Sequence, residues 1–227
     1  MKIYNHIMGK TSLSFAYRTI KENILRLDIK PGEELKEADS LHTLNMSRTP
    51  LREALILLKH DGLVEAVPQK GTFVTKIEKE KFEAEKLLRL TVEEKIFLMA
   101  CENFPEEYLK KLEENLKKQK YIMDTSRDYV EFHYTDLEFH QLVFEGVGYK
   151  NLFELTNDKC FDYQRVAVLF CSDKLRDDFI FKGHQELYQI IKEKRKENVE
   201  KALSKHLGQL GEKLNVFIEE YSRYFKK

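Results

Sequence analysis

Tryptophan is absent from this sequence, and cysteine, proline and glycine are scarce: three, four and nine residues in 227. Cys101, Cys160 and Cys171 are odd in number and far apart. That excludes a disulfide framework and a Cys-x-x-Cys metal pair, and it fits a reducing compartment in which buried thiols persist. So little Pro and Gly argues against an all-β fold with its many turns and favours helices. No apolar run approaches the roughly 18–20 residues of a membrane span, and no apolar leader is seen, so neither a membrane protein nor a secreted one is expected and a cytoplasmic setting is. Net charge is lacking too, with 39 basic and 39 acidic side chains. Bulk charge therefore advertises no polyanionic partner. His-Glu-x-x-His, Gly-x-Ser-x-Gly and Gly-rich phosphate loops are all missing, so no enzyme is expected.

What is present is a helical pattern rich in charge: 42% hydrophobic and 34% charged residues. Residues 1–77 carry 12 Lys and Arg against 9 Asp and Glu, and the remainder carries the opposite small excess. Apolar Phe15, Ile20, Ile24 and Leu27 recur near a 3.6-residue period and predict a helix over 12–27. Pro31-Gly32 makes a turn, and 36–44 reads as a short second helix. Thr49 is a candidate N-cap, with Pro50 at the first position of a third helix that buries Leu51, Leu55 and Leu58. Gly62 suits the left-handed residue after it. Residues 63–67 and 72–76 alternate well enough for two short strands around Pro68-Gln69-Lys70-Gly71. Beyond residue 77 the pattern is all-helical, with helices expected over 82–101, from 105, and over 127–145, 150–171, 179–194 and 197–225. The fold expected is mainly α: a winged helix-turn-helix in 1–77, then an all-α antiparallel bundle in 78–227.

Helix, turn, helix and wing is a layout that reads double-stranded DNA. The third helix would present Arg48, Thr49 and Arg52 to base edges in the major groove. Arginine can pair with both acceptors of a guanine, and the hydroxyls of Ser47 and Thr49 can bond phosphates. Lys70 and Gly71 at the wing tip can approach the backbone closely. Periodicity alone leaves open the reading in which these arginines are solvated residues of an unrelated hairpin.

A second constellation lies downstream. Asp136 and His140 are four apart on a helical pattern and share a face. His184 and His206 stand 22 apart across a helix break, so two neighbouring helices could aim them at the same point. One carboxylate and three imidazoles suit a divalent transition metal, Zn, Ni, Mn or Fe. Spacing alone favours the plainer reading of hydrogen-bonded core histidines. His133, seven before His140, is expected at the surface or behind the ligands. The lysine runs 110–120 and 192–196 read as solvated faces with Glu partners, and Tyr221, Tyr224 and Phe225 as core or dimer packing.

From Ala16 to Val74 the sequence resembles the winged helix-turn-helix of the GntR family of bacterial transcription regulators. The match lies in Pro-Gly-Glu (31–33), Ser-Arg-Thr-Pro-Leu-Arg-Glu-Ala-Leu (47–55), Leu-x-x-Asp-Gly-Leu-Val (58–64) and Gly-Thr-Phe-Val (71–74). Residues 83–221 resemble the FCD domain, the helical ligand-binding domain of the FadR-type branch. Metal-binding members carry an Asp and a His on one helix and two later His on others. Here Asp136-Leu-Glu-Phe-His140, His184 before Ile190-Ile191, and Ala202-x-x-x-His206-Leu207 fill all four places. The resemblance also implies that Arg89, in Leu88-Arg89-x-x-x-Glu93, contacts an anion near the metal; a salt bridge to Glu93 is the alternative. It implies a ligand-responsive regulator, most simply a repressor. That regulator would be a homodimer on a short inverted repeat, sensing a small carboxylate effector at a metal held by each chain. A metal-dependent hydrolase, and a regulator whose metal is structural or is the signal, are the rival readings.

The sequence departs from the family at several places. Leu41 replaces a small Ala, and Ala38 stands where some members place an Arg. Lys194-Arg195 replaces the usual Gly-Asp, so that turn must form without glycine. Gly148-Tyr149 replaces Gly-Asn, which puts Tyr149 at the expected pocket mouth.

Overall fold

The computed structural model describes residues 1–4, 11–172 and 177–227. They form two compact units: Met1–Lys79 together with Ile218–Lys227, and Glu80–Phe217.

The first unit is a three-helix module with a wing. Helix α1 (Ser12–Leu25) opens on a reciprocal cap in which Thr11 and Ser14 each accept the other's backbone N–H through the side-chain oxygen. Helix α2 (Glu37–Leu44) ends on Asn45 at φ 47°, a left-handed position that Asn tolerates better than most residues. Helix α3 (Arg48–His60) packs on α1. Ala16, Ile20 and Ile24 of α1 and Leu51, Ala54 and Leu58 of α3 are completely buried. The N-cap of α3 is Ser47, not Thr49, which lies within the first turn. Pro50 then falls at the third helical position, where an N–H would have no intrahelical acceptor in any case. Gly62, at φ 74°, closes α3 with the paired bonds Leu63 N–H to Leu58 O and Gly62 N–H to Lys59 O.

Strands β1 (Val64–Val67) and β2 (Gly71–Val74) pair antiparallel, Val64 opposite Val74 and Val67 opposite Gly71. The Pro31-Gly32 turn leads into an extended stretch that borders β2. Gly32 and Leu35 donate to Val74 O and Thr72 O, and Val74 donates to Glu33 O. The last residues of the chain belong to this unit as well, joined to it at Ile77 and Phe225.

The second unit is helical throughout its described residues: α4 (Lys79–Glu102), α5 (Glu106–Asp124), α6 (Tyr129–Gly146), α7 (Lys150–Asn157), α8 (Phe161–Ser172), α9 (Asp177–Lys192) and α10 (Val199–Glu220). Phe97, Phe139, Val143, Leu187, Ile190 and Leu203 form its centre, each fully buried. Asp128 caps α6 by accepting the N–H groups of Val130 and Glu131 at 3.0 and 2.9 Å. The helix expected over 150–171 is two helices. Nothing in the sequence marks the break, since 158–160 contains neither Gly nor Pro, but Cys160 N–H turns back to Asn157 O and Gln164 Nε2 donates to the same carbonyl. The last helix stops at Glu220 instead of running to Phe225. After α9 the chain turns without glycine: Lys194 takes φ 57°, while Arg195 N–H bonds Ile190 O and Lys194 N–H bonds Ile191 O. This is the glycine-type helix stop built on a lysine. None of the three cysteines is in a disulfide; all are buried.

One buried carboxyl in this unit carries a pH signature. Burial raises Glu85 from 4.5 to about 7, against the opposing bond from Tyr163 N–H at 2.7 Å and with a further push from Asp162. The folded state therefore holds this proton more tightly than the unfolded chain. Its stabilising contribution is full below pH 4.5 and is lost as pH rises to 7. The shift corresponds to about 3 kcal/mol. Glu85→Gln removes that slope, so urea denaturation should find the variant gaining on the wild type between pH 4.5 and 8. Parallel curves would contradict the assignment.

Candidate functional site

Three helices of the second unit supply one cluster of donors, and two more support it. Asp136 and His140, one turn apart on α6, meet His184 of α9 and His206 of α10. One donor atom from each lies within 4.8 Å of all the others. His140 Nε2 and His206 Nε2 are 3.3 Å apart, and His184 Nε2 is 3.1 Å from Asp136 Oδ1. Two nitrogens on one tetrahedral cation, each about 2.0–2.1 Å from it, would stand about 3.3 Å apart. His140 and His184 are fully buried, His206 is 7% exposed and the Asp136 side chain 13%.

The opposite ring nitrogens are tied down. His140 Nδ1 sits 2.6 Å from Glu93 Oε2 on α4, and His184 Nδ1 sits 2.8 Å from Gln119 Oε1 on α5. Gln119 gives its own amide hydrogen to Asn115 Oδ1, which fixes its oxygen as the acceptor facing His184. His184 therefore donates from Nδ1, and when neutral it turns an Nε2 lone pair toward the Asp136 carboxylate. Burial depresses the basicity of His184, more than Asp136 restores it, and depresses that of His206 strongly. Neutral His184 leaves a lone pair against a carboxylate oxygen, an arrangement that a cation between them resolves. Burial opposes ionisation of Asp136, and the positive charge that outweighs burial must come from a protonated His184 or from a bound cation. His206 Nδ1 is buried with no hydrogen-bond partner among the described residues. Its ring lies directly against Gly183, where an added Cβ would stand 2.4 Å from Nδ1. Donor chemistry, spacing and fixed tautomers all fit a divalent metal.

Beside the cluster lies a cavity of about 20 Å³, room for about one water. Arg89, His133, Asp136, Tyr163 and His206 form its polar side, and Phe170, Ile180, Leu207 and Leu210 part of its apolar side. For Arg89 the salt-bridge alternative is present. Arg89 lines the cavity, and its Nε and Nη2 lie 2.8 and 2.7 Å from Glu93 Oε1. Its guanidinium also lies over the Tyr163 ring, 4.6 Å from the centroid. Glu93 thus bridges Arg89 to His140. Burial works against its charge, but Arg89 and His140 hold it at about 2. His133 is not at the surface: it is 2% exposed and lines the cavity. Tyr149 does not line it; it precedes α7 and is 46% exposed. Glu93, Gln119, Gly183 and Tyr163 were not singled out as site residues from sequence, although Arg89 and Glu93 could be paired from their one-turn spacing.

In the first unit Ser47, Arg48, Thr49 and Arg52 are exposed at the start of α3, and Lys70 and Gly71 at the wing tip. Ser47 makes no side-chain cap bond. Glu37 stands 3.9 Å from Arg48 and 3.3 Å from Arg52, both arginines remaining largely exposed. Gly71 has φ 132°, and an added Cβ would press on Glu34 Oε1 at 3.1 Å. The lysine runs are solvated as expected: Lys110, Lys117 and Lys120 pair with Glu106, Glu113 and Asp124 one turn away, and Lys196 with Glu102.

Residues 13–74 match the model of the bacterial regulatory proteins of the gntR family, and residues 87–209 match that of the FCD domain. The chain is a GntR-family transcriptional regulator with an FCD domain. The HTH-type transcriptional repressor RspR of Escherichia coli (strain K12) is 25% identical over 211 residues, covering 93% of this chain and 92% of RspR. The HTH-type transcriptional regulator YdhC of Bacillus subtilis (strain 168) is 26% identical, covering 90% of this chain and 91% of its own length. Among solved structures, E. coli McbR/YncC shares the fold with a TM-score of 0.77 at 19% identity, over 94% of this chain and all of that one. A GntR regulator of Rhodococcus sp. RHA1 gives 0.75 at 19% identity, over 89% of this chain and 97% of that one. FCD domains are associated with metal binding, and this regulator has the Asp/His₃ cluster. No described helix is long and apolar enough to cross a membrane.

Proposed function

We propose that this regulator is a metal-dependent repressor that senses a small carboxylate. Asp136, His140, His184 and His206 would hold one divalent transition metal per chain, Zn, Ni, Mn or Fe. The observation that carries the reading is the orientation of His140 and His184, each tied at Nδ1 by Glu93 or Gln119 so that Nε2 faces the cluster. A bound metal supplies a positive centre to which an anionic oxygen can coordinate. Around it, Glu93 and Gln119 set imidazole tautomers, Arg89 offers charge to a carboxylate at the cavity wall, and Phe170, Leu207 and Leu210 exclude water. Because the cavity admits about one water, an effector must displace side chains to enter. That displacement is the physical event available for signalling.

Ser47, Arg48, Thr49, Arg52, Lys70 and Gly71 would form the DNA contact of each subunit. Two subunits would read a short inverted repeat in the cytoplasm, since twofold symmetry in the protein mirrors that of the operator. Any change in DNA affinity equals the effector's preference between the two arrangements of the protein. The name of RspR supports a repressor over an activator.

The narrow cavity favours a second reading, in which the metal is structural or is itself the signal. Untagged protein, with and without zinc, titrated with small carboxylates on a duplex selected from random DNA separates the two. A carboxylate response that requires metal supports the sensor, and a response to metal alone supports the second reading. His184→Ala should lose metal and response while retaining the helical circular dichroism of the wild type. Unchanged metal content in that variant would overturn the ligand assignment.

A further inference from the structure

The chain passes between the two units twice, at Lys79–Glu80 and at Phe217–Ile218. Both crossings fall inside helices, and both helices carry residues of the candidate metal site. Helix α4 holds Arg89 and Glu93, and α10 holds His206. The outer ends of these helices are stitched together in the first unit. Two residues before α4, Ile77 N–H donates to Tyr224 O at 2.9 Å, and Lys226 N–H donates to Ile77 O at 2.9 Å, a parallel bridge between Ile77 and Phe225. Ile77 is fully buried and Phe225 is 2% exposed. Lys226 Nζ adds an ion pair with Glu78 at 3.1 Å, and Tyr221 and Tyr224 stack at 5.7 Å. The backbone carbonyl of Arg223 passes near Gly32, 3.9 Å from where its Cβ would stand.

We propose that residues 221–227 are a clasp, with Phe225 as its positioning residue, through which the state of the metal site reaches the DNA-binding unit. One connecting strand would let the winged unit reorient freely whatever happened at the site. Two connections locked to each other make one joint, so a shift of His206 on α10 relative to Glu93 on α4 is delivered to Ile77 and to the strand residues just before it. This inference rests on the metal reading above, and the test separates the two.

Two variants are used, Phe225→Ala and a chain ending at Tyr221, so that a folding defect in one leaves the other to report. Zinc affinity is measured by calorimetry and amide hydrogen exchange across 71–78 with and without zinc. In the wild type, zinc should slow exchange at Ile77 at least about tenfold. Both variants should keep zinc affinity within about threefold, exchange Ile77 at least about tenfold faster, and lose the zinc response. A zinc response preserved at 71–78 in the truncated chain would overturn the clasp, as would loss of zinc binding in both variants, which would mean that the tail merely supports the sensor. Failure of the wild type to bind zinc would strike the metal reading. The clasp would then stand or fall on DNA: the truncated chain must bind the selected duplex at least about fivefold differently from the wild type.

Discussion

Gly183→Ala should lower metal affinity about 100-fold while leaving the helices intact. The added methyl would occupy the place of His206 Nδ1, 2.4 Å away, with the imidazole carbon Cγ at 3.2 Å. Helix α9 has no backbone reason to require glycine there. By intrinsic propensity alone, alanine within a helix should stabilise by about 1 kcal/mol. The two effects have opposite signs, which makes the variant discriminating. A protein of unchanged or higher melting temperature that no longer retains zinc on dialysis is the expected result. Undiminished zinc uptake would mean that His206 is not held against α9 as described.

Arg52→Ala should cost about 1–3 kcal/mol of base discrimination, read as a loss of preference for the selected duplex over a scrambled one. Its partner Glu37, 3.3 Å away, must release it before a base can be read. Because that pair is exposed, the release should cost little. Lys70→Ala at the wing tip should behave differently. It should weaken binding to every sequence alike and reduce the slope of log affinity against log salt by about one. If Arg52→Ala lowered affinity uniformly and left preference intact, Arg52 would be a phosphate contact and the base-reading role would move to Arg48 or Thr49. Dimerisation should be unaffected in both variants.

How far the sequence foretold this architecture depends on how local the cause is. The helix-turn-helix and wing were legible because their signals are local: Pro31-Gly32, the Ser47–Leu55 string and Gly62 each act within a turn or two. Gly62 takes the left-handed conformation expected of it. Thr49 misled because Ser47 and Thr49 are both good caps, and only the backbone of Ser47 is extended. The donor quartet could be read from sequence as a candidate set, but not its convergence, which depends on how α6, α9 and α10 pack. Gln119 and Gly183 were invisible for the same reason. An amide that orients an imidazole 65 positions away, and a glycine emptied to admit a ring from another helix, leave no periodic trace. The break at 158–160 and the tail after Glu220 escaped because residues with helical propensity were recruited into tertiary bonds, Asn157 O to Gln164 and Ile77 to Tyr224 and Lys226.

X-ray absorption on untagged, dialysed, zinc-loaded protein tests the central claim most directly. One zinc per chain is predicted, ringed by nitrogen and oxygen, with the outer scattering of three imidazoles and no sulfur. Substoichiometric zinc, or a shell containing cysteine sulfur or a single imidazole, would contradict the account.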